Sequence, residues 1–126
     1  MDANFNRAKE GLRVCEDICR FVLNEKAATK QYKQLRHQLS QAISSLGLKG
    51  IIAARDIEGD VGRSSITSES KRKTTADIFY ANSQRVKESI RVLEEFAKLF
   101  KVATATHLKK IRYQIYAVEK KIIARL

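Results

Sequence analysis

Residues 2–22 read DANFNRAKEGLRVCEDICRFV, and residues 80–100 read YANSQRVKESIRVLEEFAKLF. Aligned without a gap, they match at Ala3/Ala81, Asn4/Asn82, Arg7/Arg85, Lys9/Lys87, Glu10/Glu88, Arg13/Arg91, Val14/Val92 and Glu16/Glu94. Each copy is followed by a second matching pair, LRHQL at 35–39 and IRYQI at 111–115. A chain that repeats itself is built from copies of one supersecondary unit, so the repeat decides the architecture. Most of the matched positions are polar. Duplicated packing would need only apolar matches, whereas duplicated Asn, Arg and Glu point to a duplicated ligand-handling surface.

Apolar residues recur at helical spacing in four segments. The first covers residues 2–23, with Ala8, Cys15, Ile18, Cys19 and Val22 on one stripe. The second covers 28–46, with Tyr32, Leu35, Leu39, Ile43 and Leu46 inward and Gly47 as its stop. The third ends near residue 100 and carries Ile78, Val86, Val92, Leu93, Phe96 and Phe100; Ser68 is its earliest cap. The fourth covers 106–124, with Leu108, Ile111, Ile115, Ile122 and Ile123 inward. Short turns inside each repeat make two antiparallel hairpins, and two hairpins pack as an all-α four-helix bundle. The chain of 126 residues is thus expected to be one domain: repeat one at 2–46, a connecting loop at 47–67 and repeat two at 68–126.

The absence of proline and the 31% of charged residues suit long helices. No long apolar run or leader pattern occurs, so a cytoplasmic protein without a membrane span is expected. Cys15 and Cys19 share an apolar helix face and read as reduced core residues rather than a redox or zinc motif. The net charge of +11 points to an anionic partner, either polyanion or phosphorylated metabolite.

Asn4 and Arg7 project onto the stripe of Gly11, Cys15, Ile18 and Val22, and Asn82 and Arg85 onto that of Ser89, Leu93 and Phe96. Arginine is rarely placed inward unless paired or facing a ligand. Arg36 and Arg112 also interrupt apolar stripes. Counting from each hairpin turn puts Arg36 level with Glu16, and Arg112 level with Glu94, so each should form an ion pair that fixes hairpin register. Between the repeats, RDIEGDVG at 55–62 places Asp56, Glu58 and Asp60 at alternate positions beside Gly59 and Gly62. The loop leaves from the end where helix two finishes and helix three is expected to begin there, so Asn4, Arg7, Asn82, Arg85 and this loop should converge on one mouth. Arginines for phosphate oxygens and carboxylates for a metal are what a Mg²⁺-nucleotide requires.

The two halves, together with RDIEGDVG, resemble the small all-helical hydroxymethylpyrimidine phosphate kinases of thiamine biosynthesis, which occur alone or fused to thiamine phosphate synthase. The likeness covers nearly the whole chain, departing where cysteines occupy core positions. It implies ATP-dependent phosphorylation of 4-amino-5-hydroxymethyl-2-methylpyrimidine phosphate to the diphosphate, with thiamine phosphate synthase as a functional partner and room for a homo-oligomer. Neither a GxxxxGK[ST] loop nor a protein-kinase motif set is present. His37 and His107 do not look like bases, and a phosphomonoester nucleophile needs none. On this reading Arg55, Asp56 and Asp60 act on the transferring group, with Arg55 contacting it. Asp56, Glu58 and Asp60 are the Mg²⁺ candidates. Asn4, Arg7, Asn82, Arg85, Gly59 and Gly62 bind substrate and phosphate. A basic helical module on nucleic acid and a non-catalytic sensor of phosphorylated metabolites are the alternatives; no nucleic-acid motif supports the first.

Overall fold

The computed structural model describes residues 1–47, 58–59 and 71–126. Helix α1 spans Asp2–Asp17 and runs into a widened π-helical turn at Ile18–Val22; α2 spans Lys26–Ser44. Helices α3 and α4 span Thr75–Ala97 and Val102–Ile123. Among the described residues there is no strand, and the four helices form the expected all-α bundle. Helix α1 packs on α2 and α3, and α4 packs on the same two from the opposite corner.

Local sequence accounts for the ends. Gly47 takes φ +83°, a left-handed conformation that costs glycine little, and closes α2. Asn24 does the equivalent at φ +53° after the π turn. Ser68 lies outside the described residues; α3 is capped instead at Thr74. The Thr74 hydroxyl accepts from the Asp77 amide, and the Asp77 carboxylate accepts from the Thr74 amide at 2.9 Å. Helix α4 starts four residues before the expected point, because Thr104 and Ala105 are buried although the preceding Val102 is not.

The core confirms most inward residues and corrects five. Val22, Ile78, Phe96, Phe100 and Ile123 are exposed, while Phe5, Leu12, Phe79, Ile90 and Ala97 are buried. The π turn gives each residue less rotation than an α turn, which swings Val22 out of the stripe. In α3 the inward row runs 79, 83, 86, 90, 93, 97. The polar Ser83 breaks its apolar pattern, and Phe96 only mimics its continuation. Cys15 and Cys19 are free, buried thiols. Burial pushes both up, Cys19 to about 11 with the Glu25 charge as a smaller cause.

The arrangement of the hairpins also corrects the expected convergence on one mouth. At one end of the bundle the Ser45 and Thr104 hydroxyls lie 3.2 Å apart, joining the end of α2 to the start of α4. At the other end Glu25 pairs with Arg125, and the Tyr32 and Phe79 rings meet edge to face at 6.4 Å. Helix α3 therefore begins beside the start of α2, opposite the end where α2 finishes. Every neighbouring pair is antiparallel, which opposes the helix dipoles. A helix of α2's length is roughly 28 Å long, and the 30 residues at 45–74 that link α2 to α3 have a maximum reach about three times that, so chain length allows the crossing.

Candidate functional site

Helices α1 and α3 cross closely at equivalent residues. A Cβ on Gly11 would lie 2.6 Å from Val86 Cγ2 and 3.0 Å from the Asn82 carbonyl oxygen, so glycine is what allows the contact. Gly11 lies in the second half of α1, Asn82 in the first half of α3 and Val86 at the middle of α3. The crossing point falls near Ala8 and Val86, which are repeat equivalents and wholly buried. An approximate two-fold axis thus passes through it, perpendicular to the helices.

Beside this axis lies an open groove of about 560 Å³, lined by Asn4, Arg7, Ala81, Gln84, Arg85, Glu88, Ser89 and Val92. It brings Arg7 and Arg85 to one wall-to-wall site together with Asn4. Both guanidinium groups are exposed, and neither forms an ion pair among the described residues. Two unpaired guanidinium groups flanking one groove can bind a phosphoryl group by charge-assisted hydrogen bonds. Asn82 is not among the lining residues: its side-chain amide donates to the Ile78 carbonyl of its own helix at 2.8 Å.

Of the loop candidates, Glu58 and Gly59 are described and exposed, while Arg55, Asp56, Asp60 and Gly62 lie outside the described residues. Among the described residues no group of three His, Cys, Asp or Glu side chains could hold a metal ion. The helix starts also differ from expectation, since α1 and α4 begin at one end and α2 and α3 at the other.

The register pairs are present. Arg36 Nε donates to Glu16 Oε2 at 3.1 Å, and Arg112 binds Glu94 through both Nε and Nη2. Both carboxylates are buried. The hydrogen bond to Glu94, opposed by burial, holds the Arg112 guanidinium above its ordinary pKa.

A second groove, about 420 Å³, runs between α3 and α4 and had no counterpart in the sequence reading. Its wall carries Lys87, Arg91, Arg112 and Tyr116, and it shares Gln84, Glu88 and Val92 with the first groove. Lys87 Nζ binds both oxygens of Glu119, at 2.8 and 3.0 Å, and Ser83 Oγ donates to the same carboxylate at 2.9 Å. Glu119 was missed because it lies outside the identities: its repeat equivalent is Ile43. The difference between copies was the available signal.

Among the described residues no helix is long and apolar enough to cross a membrane. Comparison with known proteins gives relatives named thiamine-phosphate synthase. That of Synechocystis sp. is 40% identical over 124 residues, 98% of this chain and 35% of the relative. Those of Nostoc punctiforme and Rhodopirellula baltica are 38% and 37% identical, over 34% and 33% of their own lengths. The chain therefore spans about a third of the length of these relatives. No solved structure matches it. The ThiD2 family profile matches residues 1–121, almost the whole repeat pair, and the chain belongs to the ThiD2 family, related to thiamine biosynthesis.

Proposed function

We propose that this domain transfers the γ-phosphoryl group of ATP to hydroxymethylpyrimidine phosphate, yielding the diphosphate. The observation that carries the reading is the meeting of Arg7 and Arg85, without carboxylate partners among the described residues, in one groove. A phosphate oxygen of the substrate forms the new bond to the γ-phosphorus as the bond to the β–γ bridging oxygen breaks, and ADP leaves. A phosphomonoester has its second pKa near 6 and is largely dianionic at neutral pH, so no general base is required. What the protein supplies is position and neutralisation of charge. Asn4, Arg7 and Arg85 hold phosphate in this reading. Arg55 meets the transferring group, Asp56, Glu58 and Asp60 are the Mg²⁺ candidates, and Gly59 and Gly62 are further phosphate-binding candidates. Relatives that carry the same domain within a thiamine-phosphate synthase chain support that enzyme as functional partner.

The test is a coupled assay with ATP, Mg²⁺ and either the pyrimidine monophosphate or the free alcohol. ADP should form only with the monophosphate; equal turnover of the alcohol would overturn the mechanism, and no turnover of either would favour the sensor. Arg7→Ala and Arg85→Ala should each lower kcat/KM by roughly ten- to a hundredfold, the loss of charge-assisted bonds worth about 1.5–3 kcal/mol. Thermal stability should hardly change, because both side chains are exposed.

A further inference from the structure

Three residues of repeat two differ in chemistry from their equivalents. Ser83 stands for Phe5, Glu119 for Ile43 and Tyr116 for Ser40. Phe5 and Ile43 are buried hydrocarbon, so this fold packs well with apolar residues at those places. Repeat two instead keeps the Ser83–Lys87–Glu119 cluster, whose ion pair is only 16% and 13% exposed. Desolvating such a pair is costly, and apolar replacements are often as stable. Packing alone does not call for it.

The cluster sets Lys87 over the Tyr116 ring, 5.5 Å from its centroid, on the wall of the α3–α4 groove. The cations there are matched: Lys87 by Glu119, Arg91 by Glu94 and Glu95, Arg112 by Glu94. This groove is therefore close to neutral, in contrast with the Arg7/Arg85 groove that it joins. What it offers a ligand is a half-exposed aromatic ring and two hydrogen-bonding side chains. Gln84 Nε2 donates to Glu88 Oε1 at 2.8 Å, leaving the amide oxygen, a second amide hydrogen and a carboxylate oxygen for a ligand edge. A short molecule spanning both grooves would be anionic at one end and a neutral heteroaromatic ring at the other.

We propose that the α3–α4 groove is the ring subsite for a phosphorylated aminopyrimidine. The ring packs against Tyr116, Glu88 accepts from the exocyclic amino group, Gln84 donates to the adjacent ring nitrogen, and the phosphate reaches Arg7 and Arg85. The same amino-pyrimidine edge occurs in a substituted pyrimidine phosphate and in an adenine nucleotide. The assignment rests on the kinase reading for its substrates, but binding alone can test it.

Calorimetric titration with ADP and with the pyrimidine monophosphate, together with KM for ATP and for the monophosphate, should be measured in four proteins. These are the wild type, Tyr116→Ser, Glu88→Gln and the double variant S83F/E119I, which copies repeat one. Each variant should weaken one of the two ligands about tenfold or more with kcat within about threefold, and the ligand affected identifies the ring. The double variant should do so with a Tm near that of the wild type, because Lys87 can rest over the introduced ring as Lys9 rests over Phe5, separating loss of the site from loss of the fold. Unchanged affinity and KM for both ligands in Tyr116→Ser and Glu88→Gln would overturn the subsite. Wild-type binding without turnover would defeat the kinase reading and leave the subsite to be decided by the variants' affinities. A wild type that binds neither ligand overturns both.

Discussion

The two hairpins share a frame and differ in what hangs on it. In each, a buried glutamate on the first helix meets an arginine on the second, Glu16 with Arg36 and Glu94 with Arg112. A second arginine one turn earlier, Arg13 or Arg91, lies over the same carboxylate. Repeat one then fills the neighbouring space with Phe5 and Ile43, and Lys9 rests over the Phe5 ring. Repeat two fills it with Ser83 and Glu119 and clamps Lys87. Several identities between the copies, Glu16/Glu94 and Arg13/Arg91 among them, record what holds a hairpin in register. The differences record where one copy has been put to another use.

Removing the shared carboxylates should have the largest effect, and it should be unequal. Glu94 takes two hydrogen bonds from Arg112 and one from Arg91, whereas Glu16 takes one from Arg36, with Arg13 at 3.6 Å. Breaking a buried pair costs on the order of 3–5 kcal/mol. Denaturant unfolding of Glu94→Ala should show a loss of that size, and Glu16→Ala a smaller one; equal losses would mean the second repeat gains nothing from its tighter pairing.

The crossing of α1 and α3 gives a smaller test. Gly11→Ala puts a methyl group against Val86 and the Asn82 carbonyl, an overpacking that costs about 1–3 kcal/mol. Its equivalent, Ser89→Ala, adds no atom and creates no overpacking, so it should cost less than Gly11→Ala. Thermal melts of the two variants check whether the crossing is tight on one side only.

Smallest is the cap of α3. Thr74→Ala should cost roughly 1 kcal/mol. Backbone hydrogen bonds from Lys73 and Thr74 hold the Asp77 carboxyl below its ordinary value. Its contribution is therefore complete above the unfolded carboxylate pKa of about 3.9 and is lost as pH falls through the lower folded value. In acid melts below about pH 4, Asp77→Asn should lose less stability than the wild type; parallel curves would show that the cap does not titrate.

Much of the frame was legible because it is local. Helical period, Gly47 as a stop, and the Glu–Arg pairs follow from spacing and a count of residues from each turn. The direction of α3 was not, since the connection between the repeats is long enough to start the next helix at either end. Arg7 and Arg85 were legible as a repeated pair, and the structure brings them together by a route other than the shared mouth expected for them. The α3–α4 groove was hidden because Ser83, Tyr116 and Glu119 match nothing in repeat one, and a search for identity passes over them. The motif at 55–62 lies outside the described residues except for Glu58 and Gly59.

The crossing at Ala8 and Val86 has a consequence for any guest molecule. The groove beside this axis takes the same arginine from each repeat, Arg7 from one and Arg85 from the other. A ligand without that symmetry meets two poses related by a half-turn, degenerate if the halves were identical. Substituting Tyr for Ser, Glu for Ile and Ser for Phe in one half lifts the degeneracy. The chain obtains an oriented pocket from a symmetric scaffold by altering side chains in one copy and leaving the backbone plan intact.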